Sequence, residues 1–184
     1  MKRVAILSSS VRRQRLSHRV ALFLQRYLQR TGMAETELLD LKAYDFPLFD
    51  ERFAFQEHPS EKLLDFTERF FRTDALIVVT PVYNASYPAA LKNVIDLYYN
   101  EWKRRPAAVV SVTSGQVPGI ATVQAVQTLL TKLGAIVTPG LCTVTAVSDL
   151  FDEEGTPRSA EKAEALLRPM LGELLWLTSR VEEP

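Results

Sequence analysis

The sequence predicts an α/β fold, a doubly wound five-stranded parallel sheet in the order 2-1-3-4-5 with helices on both faces. Three observations carry this. Short apolar runs alternate with amphipathic helical stripes from end to end. The clearest runs are apolar at consecutive positions rather than at every second one, as strands buried on both faces require. Each run is followed by a helical stripe, the crossover that parallel neighbours need, and right-handed crossovers place the helices on both sheet faces.

Taken in order, Val4-Ala5-Ile6-Leu7 is the first strand and ends in Ser8-Ser9-Ser10. Leu16, Val20, Leu24 and Leu28 then recur every four residues, with Phe23 and Tyr27 beside them, and Gly32 is placed to end this helix. Leu38 to Leu41 is the second strand, followed by a proline-containing loop from Tyr44 to Glu51. Leu63, Leu64, Thr67, Phe70 and Phe71 share a helical face ahead of the third strand, Ala75 to Thr80, which Pro81 stops. Leu91, Val94, Ile95, Tyr98 and Trp102 read as the next helical stripe, and Ala107 to Val112 as the fourth strand, broken by Ser114-Gly115. Val123, Val126, Leu130 and Leu133 mark a further helix, and Ala135 to Val137 with Leu141 to Val144 the fifth strand region. The last stripe runs from Ala163 to Leu177, and Pro169 within it predicts a kink or a break. With no linker, repeat or low-complexity tract, residues 1–184 read as one domain.

Composition narrows the function classes. Lys+Arg and Asp+Glu both number 22, so the formal net charge is zero and no basic footprint for nucleic acid is present. Cys142 is the only cysteine and His18 and His58 the only histidines, which argues against a disulfide scaffold and a structural metal site. The apolar run after Met1-Lys2-Arg3 is far too short for a signal core or a membrane span, so a cytoplasmic protein without membrane attachment is expected. His18 reads as a surface residue, and Cys142 as a buried small hydrophobe.

In the predicted strand order the winding reverses between the first and third strands, and ligands bind outside the carboxyl ends of strands at such a point. Three loops meet there. The first, Ser8 to Ser17, combines hydroxyls with Arg12, Arg13 and Arg15 ahead of a helix. That chemistry suits a phosphate, through free helix N–H groups and the guanidinium fork, although a solvated basic loop capped by Ser17 has the same composition. The second, Thr80 to Pro88, is rigidified by Pro81 and Pro88; with Tyr83, Asn84 and Ser86 it suits a flat heteroaromatic ligand with polar edges, or serves as a rigid turn without a ligand. The third, Thr113 to Gly119, lets backbone approach a ligand at its glycines.

These loops resemble the NADPH-dependent FMN reductase family of the flavodoxin-like superfamily. The family's first loop reads G-S-x-R-x-x-R-x-S-x-x-V-A, and Ser9 to Ala21 matches it at each specified position except that Ser9 replaces the glycine. Its second motif, T-P-E-Y-N-x-S-x-P-x-x-L-K-N-x-I-D, resembles Thr80 to Asp96 with Val82 in place of the glutamate. The segments Asp45 to Glu51 and Phe151 to Gly155 also look like family landmarks. The third loop departs from the family's G-G-x-R, since Pro118-Gly119-Ile120-Ala121 lacks the glycine pair and the arginine.

The resemblance implies a flavodoxin-like fold that binds FMN, takes hydride from NADPH or NADH, and passes electrons to a small acceptor such as free flavin or a quinone. It implies that Ser10, Arg12, Arg15 and Ser17 hold the FMN phosphate. Pro81, Val82, Tyr83, Asn84 and Ser86 would meet the flavin ring or ribityl chain, and Ser114 and Gly115 would border the ring. No catalytic side chain and no metal is expected, because the flavin carries the chemistry. A flavodoxin-type electron carrier or a non-catalytic flavin-binding module is the alternative; such carriers are usually strongly acidic, and this chain is neutral. Tyr98, Tyr99 and Trp102 offer more aromatic area than one helix face can bury, which predicts a homodimer, or a homotetramer as in some family members.

Overall fold

The computed structural model describes residues 1–181. Its sheet is built from β1 (Arg3–Ser8), β2 (Glu35–Asp40), β3 (Ala75–Pro81) and β4 (Pro106–Val112), with two short strands, β5 (Ile136–Val137) and β6 (Cys142–Val144). The order is β2-β1-β3-β4-β5, all pairs are parallel, and β6 also pairs with β4. The fifth strand region is therefore one position in the sheet occupied by two pieces. β5 pairs with Pro106 and Ala107 and β6 with Val110 to Val112, and Pro139, which has no N–H to give the ladder, falls between them.

Alternate residues of each central strand enter different cores. Val4 and Ile6 of β1, Ile77 and Val79 of β3, and Val110 and Val112 of β4 face one side. There they meet α1 (Ser17–Arg30) through Val20, Leu24 and Leu28, and α7 (Ala160–Arg180) through Leu167, Met170, Leu171 and Leu174. Ala5 and Leu7, Leu76 and Val78, and Ala107 and Val109 face the other side. That side is covered by α3 (Glu61–Phe71), α4 (Ala89–Asp96) and α5 (Ile120–Lys132) through Leu63, Phe66, Phe70, Leu91, Ile95, Val126 and Leu130. Two-sided burial is why these strands read as continuous apolar runs. Two one-turn helices, α2 (Leu41–Tyr44) and α6 (Val147–Leu150), complete the chain.

The element boundaries follow local chemistry. Gly32, at φ +64°, closes α1 in the left-handed region that costs a glycine nothing. Ser60 and Ser159 cap α3 and α7 through their hydroxyls. Gly155 is needed for a different reason: at φ +72° it packs directly on the Arg19 carbonyl of α1, where any side chain would collide. Around it, Arg19 donates to the Phe151 carbonyl at 3.0 Å, and the Phe151 ring lies 5.2 Å from Phe23, so the 151–155 segment is pinned to α1. Among the described residues no helix is long and apolar enough to cross a membrane.

Two expectations are narrowed or revised. Of the kink or break expected at Pro169, the break does not occur, since α7 runs from Ala160 to Arg180 as one helix. The helix packs Ala163 on one side of the proline and Met170, Leu171 and Leu174 on the other into one core, and that continuous contact outweighs the missing N–H. The aromatic stripe after α4 is not one helix either. α4 ends at Asp96, a 3-10 turn spans Asn100–Trp102, and Tyr98 and Trp102 are both only 2% exposed. Trp102 Nε1 donates to the Ile95 carbonyl at 3.1 Å and its ring sits 5.0 Å from Phe70, so this aromatic area is satisfied within the chain. Only Tyr99 faces outward.

Trp102→Ala should therefore lower unfolding stability by about 3–5 kcal/mol. Trp176→Ala, at a position 58% exposed, should change it by less than about 0.5 kcal/mol. Urea denaturation of the two variants checks this, and equal midpoints would contradict the inward placement of Trp102.

Candidate active site

The loops that follow β1, β3 and β4 converge on a cleft of about 720 Å³, within the 300–1,000 Å³ range usual for small-molecule sites. Ser10, Arg12, Arg15, Pro81, Val82, Tyr83, Ser114 and Gly115 line it, with Val117, Pro118 and Gly119. Eight of the sequence-predicted residues thus meet in one place, while Ser17, Asn84 and Ser86 lie outside the lining. A second cavity, of about 490 Å³, opens at the other end of the sheet between the start of β1 and the end of α7 and shares no residue with the cleft.

The first loop leaves β1 fully buried. Ser8, Ser9 and Ser10 are all 0% exposed, and the Ser9 N–H donates to the Val79 carbonyl at 3.1 Å, which carries the pairing of β1 with β3 one residue into the loop. Small residues are required because the chain passes between neighbouring strand ends. The Ser9 and Ser17 hydroxyls are buried and make no hydrogen bond, and Ser17 does not cap α1, whose N-cap position is Leu16. A buried hydroxyl without a partner is costly, and two of them bracket the loop that carries Arg12 and Arg15. The donor set of this loop, hydroxyls and guanidinium groups ahead of a 14-residue helix, suits a phosphate ester.

The second loop is a two-residue reverse turn. Tyr83 and Ser86 exchange backbone hydrogen bonds at 2.8 and 2.9 Å, while Asn84 and Ala85 occupy the left-handed region at φ 51° and 61°. Asn84 tolerates that region; Ala85, carrying a Cβ, is strained there. The Tyr83 hydroxyl bonds the Ser10 hydroxyl at 2.9 Å and joins the first two loops across the cleft. The rest of the motif has its own uses. Leu91 and Ile95 are buried, Lys92 pairs with Asp96 at 2.6 Å, and the Asn93 side chain holds Pro47 and Phe49 by two bonds of 2.6 Å. The 45–51 segment is thereby fastened to α4.

The third loop is braced by Thr113, whose hydroxyl donates to the Gly115 and Val117 carbonyls, and by the Ala146 N–H, which donates to the Gly115 carbonyl at 2.8 Å. Gly119 cannot carry a side chain: a Cβ there would collide with Val82 and come 2.6 Å from Ser111 Oγ. Two of the three places where the sequence departs from the family motifs are therefore in contact, Val82 packing against the third loop where its glycine lets the backbone approach.

His18 and Asp40 stand beside the first loop, outside the lining of the cleft, a placement that sequence reasoning missed. His18 is not a surface residue. Its Nδ1 bonds Ser8 Oγ at 2.9 Å, and its Nε2 lies 4.0 Å from Asp40 at the end of β2. Asp40 grips the Arg15 guanidinium through both carboxylate oxygens, and Arg15 also donates to the Ser10 carbonyl at 3.1 Å. The only signal available in sequence was that the second strand ends beside the first. Burial raises the carboxyl of Asp40, but the hydrogen bond and charge of Arg15, with His18 behind them, hold it below the ordinary carboxylate value. Burial, then the Arg15 charge, lowers His18, against an opposing pull from Asp40. Cys142 is buried and its thiol is pushed up to about 12 by that burial, so it is an inert hydrophobe.

The family model for NADPH-dependent FMN reductase matches residues 2–148. A quinone reductase of Pseudomonas putida is 33% identical over 135 residues, covering 71% of this chain and 70% of that protein. An NAD(P)H-dependent FMN reductase of Saccharomyces cerevisiae is 33% identical over 122 residues, 59% of this chain and 64% of that one. Among solved structures, a flavoenzyme NAD(P)H:(acceptor) oxidoreductase from Paracoccus denitrificans superposes with a TM-score of 0.78 at 24% identity, over 98% of this chain and 99% of that chain, and so shares the flavodoxin-like fold.

Both depressed pKa values have the same sign for stability. A neutral His18 and an ionised Asp40 are favoured by folding, so their contributions are complete above the unfolded values, about 6.5 and 4, and disappear as pH falls through the lower folded values. Urea midpoints should fall in two stages between pH 7 and 3. His18→Gln should remove the first stage and Asp40→Asn the second; a wild-type midpoint that stays flat from pH 7 to 5 would contradict the placement of His18.

Proposed function

The chain belongs to the NADPH-dependent FMN reductase family, and from that premise we propose that it is one FMN-binding domain working as an NAD(P)H oxidoreductase on a small acceptor such as free flavin or a quinone. The observation that carries this reading is the convergence of three loops on one cleft, with the Ser10–Tyr83 hydrogen bond joining the first loop to the second. FMN, when bound, supplies the two-electron chemistry between nicotinamide and acceptor.

The chain's own residues bind and orient. Ser10, Arg12, Arg15 and Ser17 would hold the phosphate, the buried Ser17 hydroxyl gaining the partner it lacks in the chain alone. Pro81, Val82, Tyr83, Asn84 and Ser86 would meet the ring or ribityl chain, the strained turn at Ala85 being the rigid feature that fixes them. Ser114 and Gly115 would border the ring, with the third loop held by Thr113. Val117 is 79% exposed at the rim, so one side of the cleft is open and apolar, as stacking of an aromatic donor or acceptor requires. Donor and acceptor using one open side in turn would give a ping-pong pattern, with nicotinamide captured weakly because the third loop has no arginine.

The test is anaerobic stopped-flow mixing of the FMN-loaded protein with excess NADPH and, separately, NADH. Bleaching of the flavin by at least one nucleotide is expected. Reduction by dithionite but by neither nucleotide would leave a flavin-binding module in place of the enzyme.

We also propose that the protein is a homo-oligomer, at least a homodimer. The support is no longer the whole aromatic stripe but the exposed apolar residues around Tyr99 and the 48–55 segment: Leu48 is 85% exposed, Phe55 67% and Tyr99 49%. Arg52 stacks on the Tyr99 ring at 4.8 Å, which links this segment to the turn after α4. Sedimentation at micromolar concentration should give at least twice the chain mass; a single 20.8 kDa species would refute the proposal.

A further inference from the structure

The carboxylate of Asp40 sits where an anion site should least tolerate it. Asp40 closes β2 opposite Ser8 of β1, directly behind the first loop. Its oxygens are occupied by the Nη atoms of Arg15, and the two side chains are only 13% and 18% exposed. Arg15 in turn holds the Ser10 carbonyl. Asp40 also accepts from the Lys42 N–H at 3.0 Å, and Lys42 Nζ reaches back to the Arg13 carbonyl at 3.4 Å. Two carbonyls of the first loop are thus tied to the corner that Asp40 organises. An oxygen held by a cation behind the loop is not free to face an anion in front of it, and a fork gripped on both arms keeps its orientation.

We propose that Asp40 is the positioning residue of the phosphate loop: without touching the cofactor, it fixes Arg15 and, through Arg15 and Lys42, the loop backbone that receives the FMN phosphate. This rests on the FMN reading above. It also makes a prediction of sign. Through space alone, removing a carboxylate so close to a phosphate site would strengthen FMN binding. Losing the clamp weakens it. The other charged groups facing Asp40 are Arg15, Lys42 and His18, and the two Asp40 substitutions proposed here leave all three in place.

The experiment is titration of the apoprotein with FMN and with riboflavin, which lacks the phosphate. It uses the wild type, Asp40→Asn, Asp40→Ser, Arg15→Gln and the Arg15→Gln/Asp40→Asn pair, with thermal melting of each to establish folding. Asparagine and serine both retain the ability to cap α2, so at least one variant should fold. The expected result is roughly tenfold weaker FMN binding in the folded Asp40 variants, with riboflavin changed by less than about twofold. Asp40→Asn should add little once Arg15 is already gone. Unchanged or tighter FMN binding overturns the proposal, and so does an equal loss for riboflavin, which would make Asp40 merely structural. A wild type that binds riboflavin as well as FMN, or neither, would be a failure of the FMN reading itself, visible before any variant is compared.

Discussion

The structure depends on a sheet that is buried on both faces. β1, β3 and β4 have no solvent side, so their interiors can hold only apolar or very small residues, and polar function is expelled to the strand ends. Because the chain first builds outward to β2 and then returns past β1 to β3, the carboxyl ends of β1 and β3 are left with connections running in opposite directions. The gap between those connections is the cleft. Everything that gives the site its chemistry is a consequence of how three loops cross that one edge.

The loops are shaped mainly by one another. Ser9 bonds the end of β3, Ser10 bonds Tyr83, Thr113 bonds the end of β6, and Gly119 accepts Val82 at a distance no side chain would permit. This mutual bracing explains why loop residues spread from Ser9 to Gly119 form one edge. Several motif residues bind nothing in the cleft: Asn93 fastens the 47–49 segment, Lys92 pairs with Asp96 along α4, and Leu91 and Ile95 fill the core beneath. A motif of this kind records an architecture as much as a ligand contact. In a chain of zero net charge, positive character at the cleft is therefore local: Arg12 and Arg15 line it, and the half-buried carboxylate of Asp40 holds Arg15.

Much of this was determined by the sequence itself. Period and composition are local properties, and a strand buried on two faces or a helix buried on one leaves its mark within a dozen residues. The strands, the covering helices, the winding order and the three loops at the switch point were all legible for that reason, and so was the placement of Ser10, Arg12, Tyr83 and Gly115 on one edge. What tertiary structure alone decided concerns partners distant in sequence. Asp40 is 25 residues from Arg15, and no periodicity announces that the two will meet. His18 could be assigned a solvent face only until β2 brought a carboxylate beside it. Tyr98 and Trp102 continue the spacing of α4, but the helix ends at Asp96 and the turn that follows folds both rings inward onto Phe70. Pro169 breaks an isolated helix, yet here core contacts on both sides of it hold one helix through. In the last two cases a local preference was overruled by burial energy that exists only once remote segments have packed together.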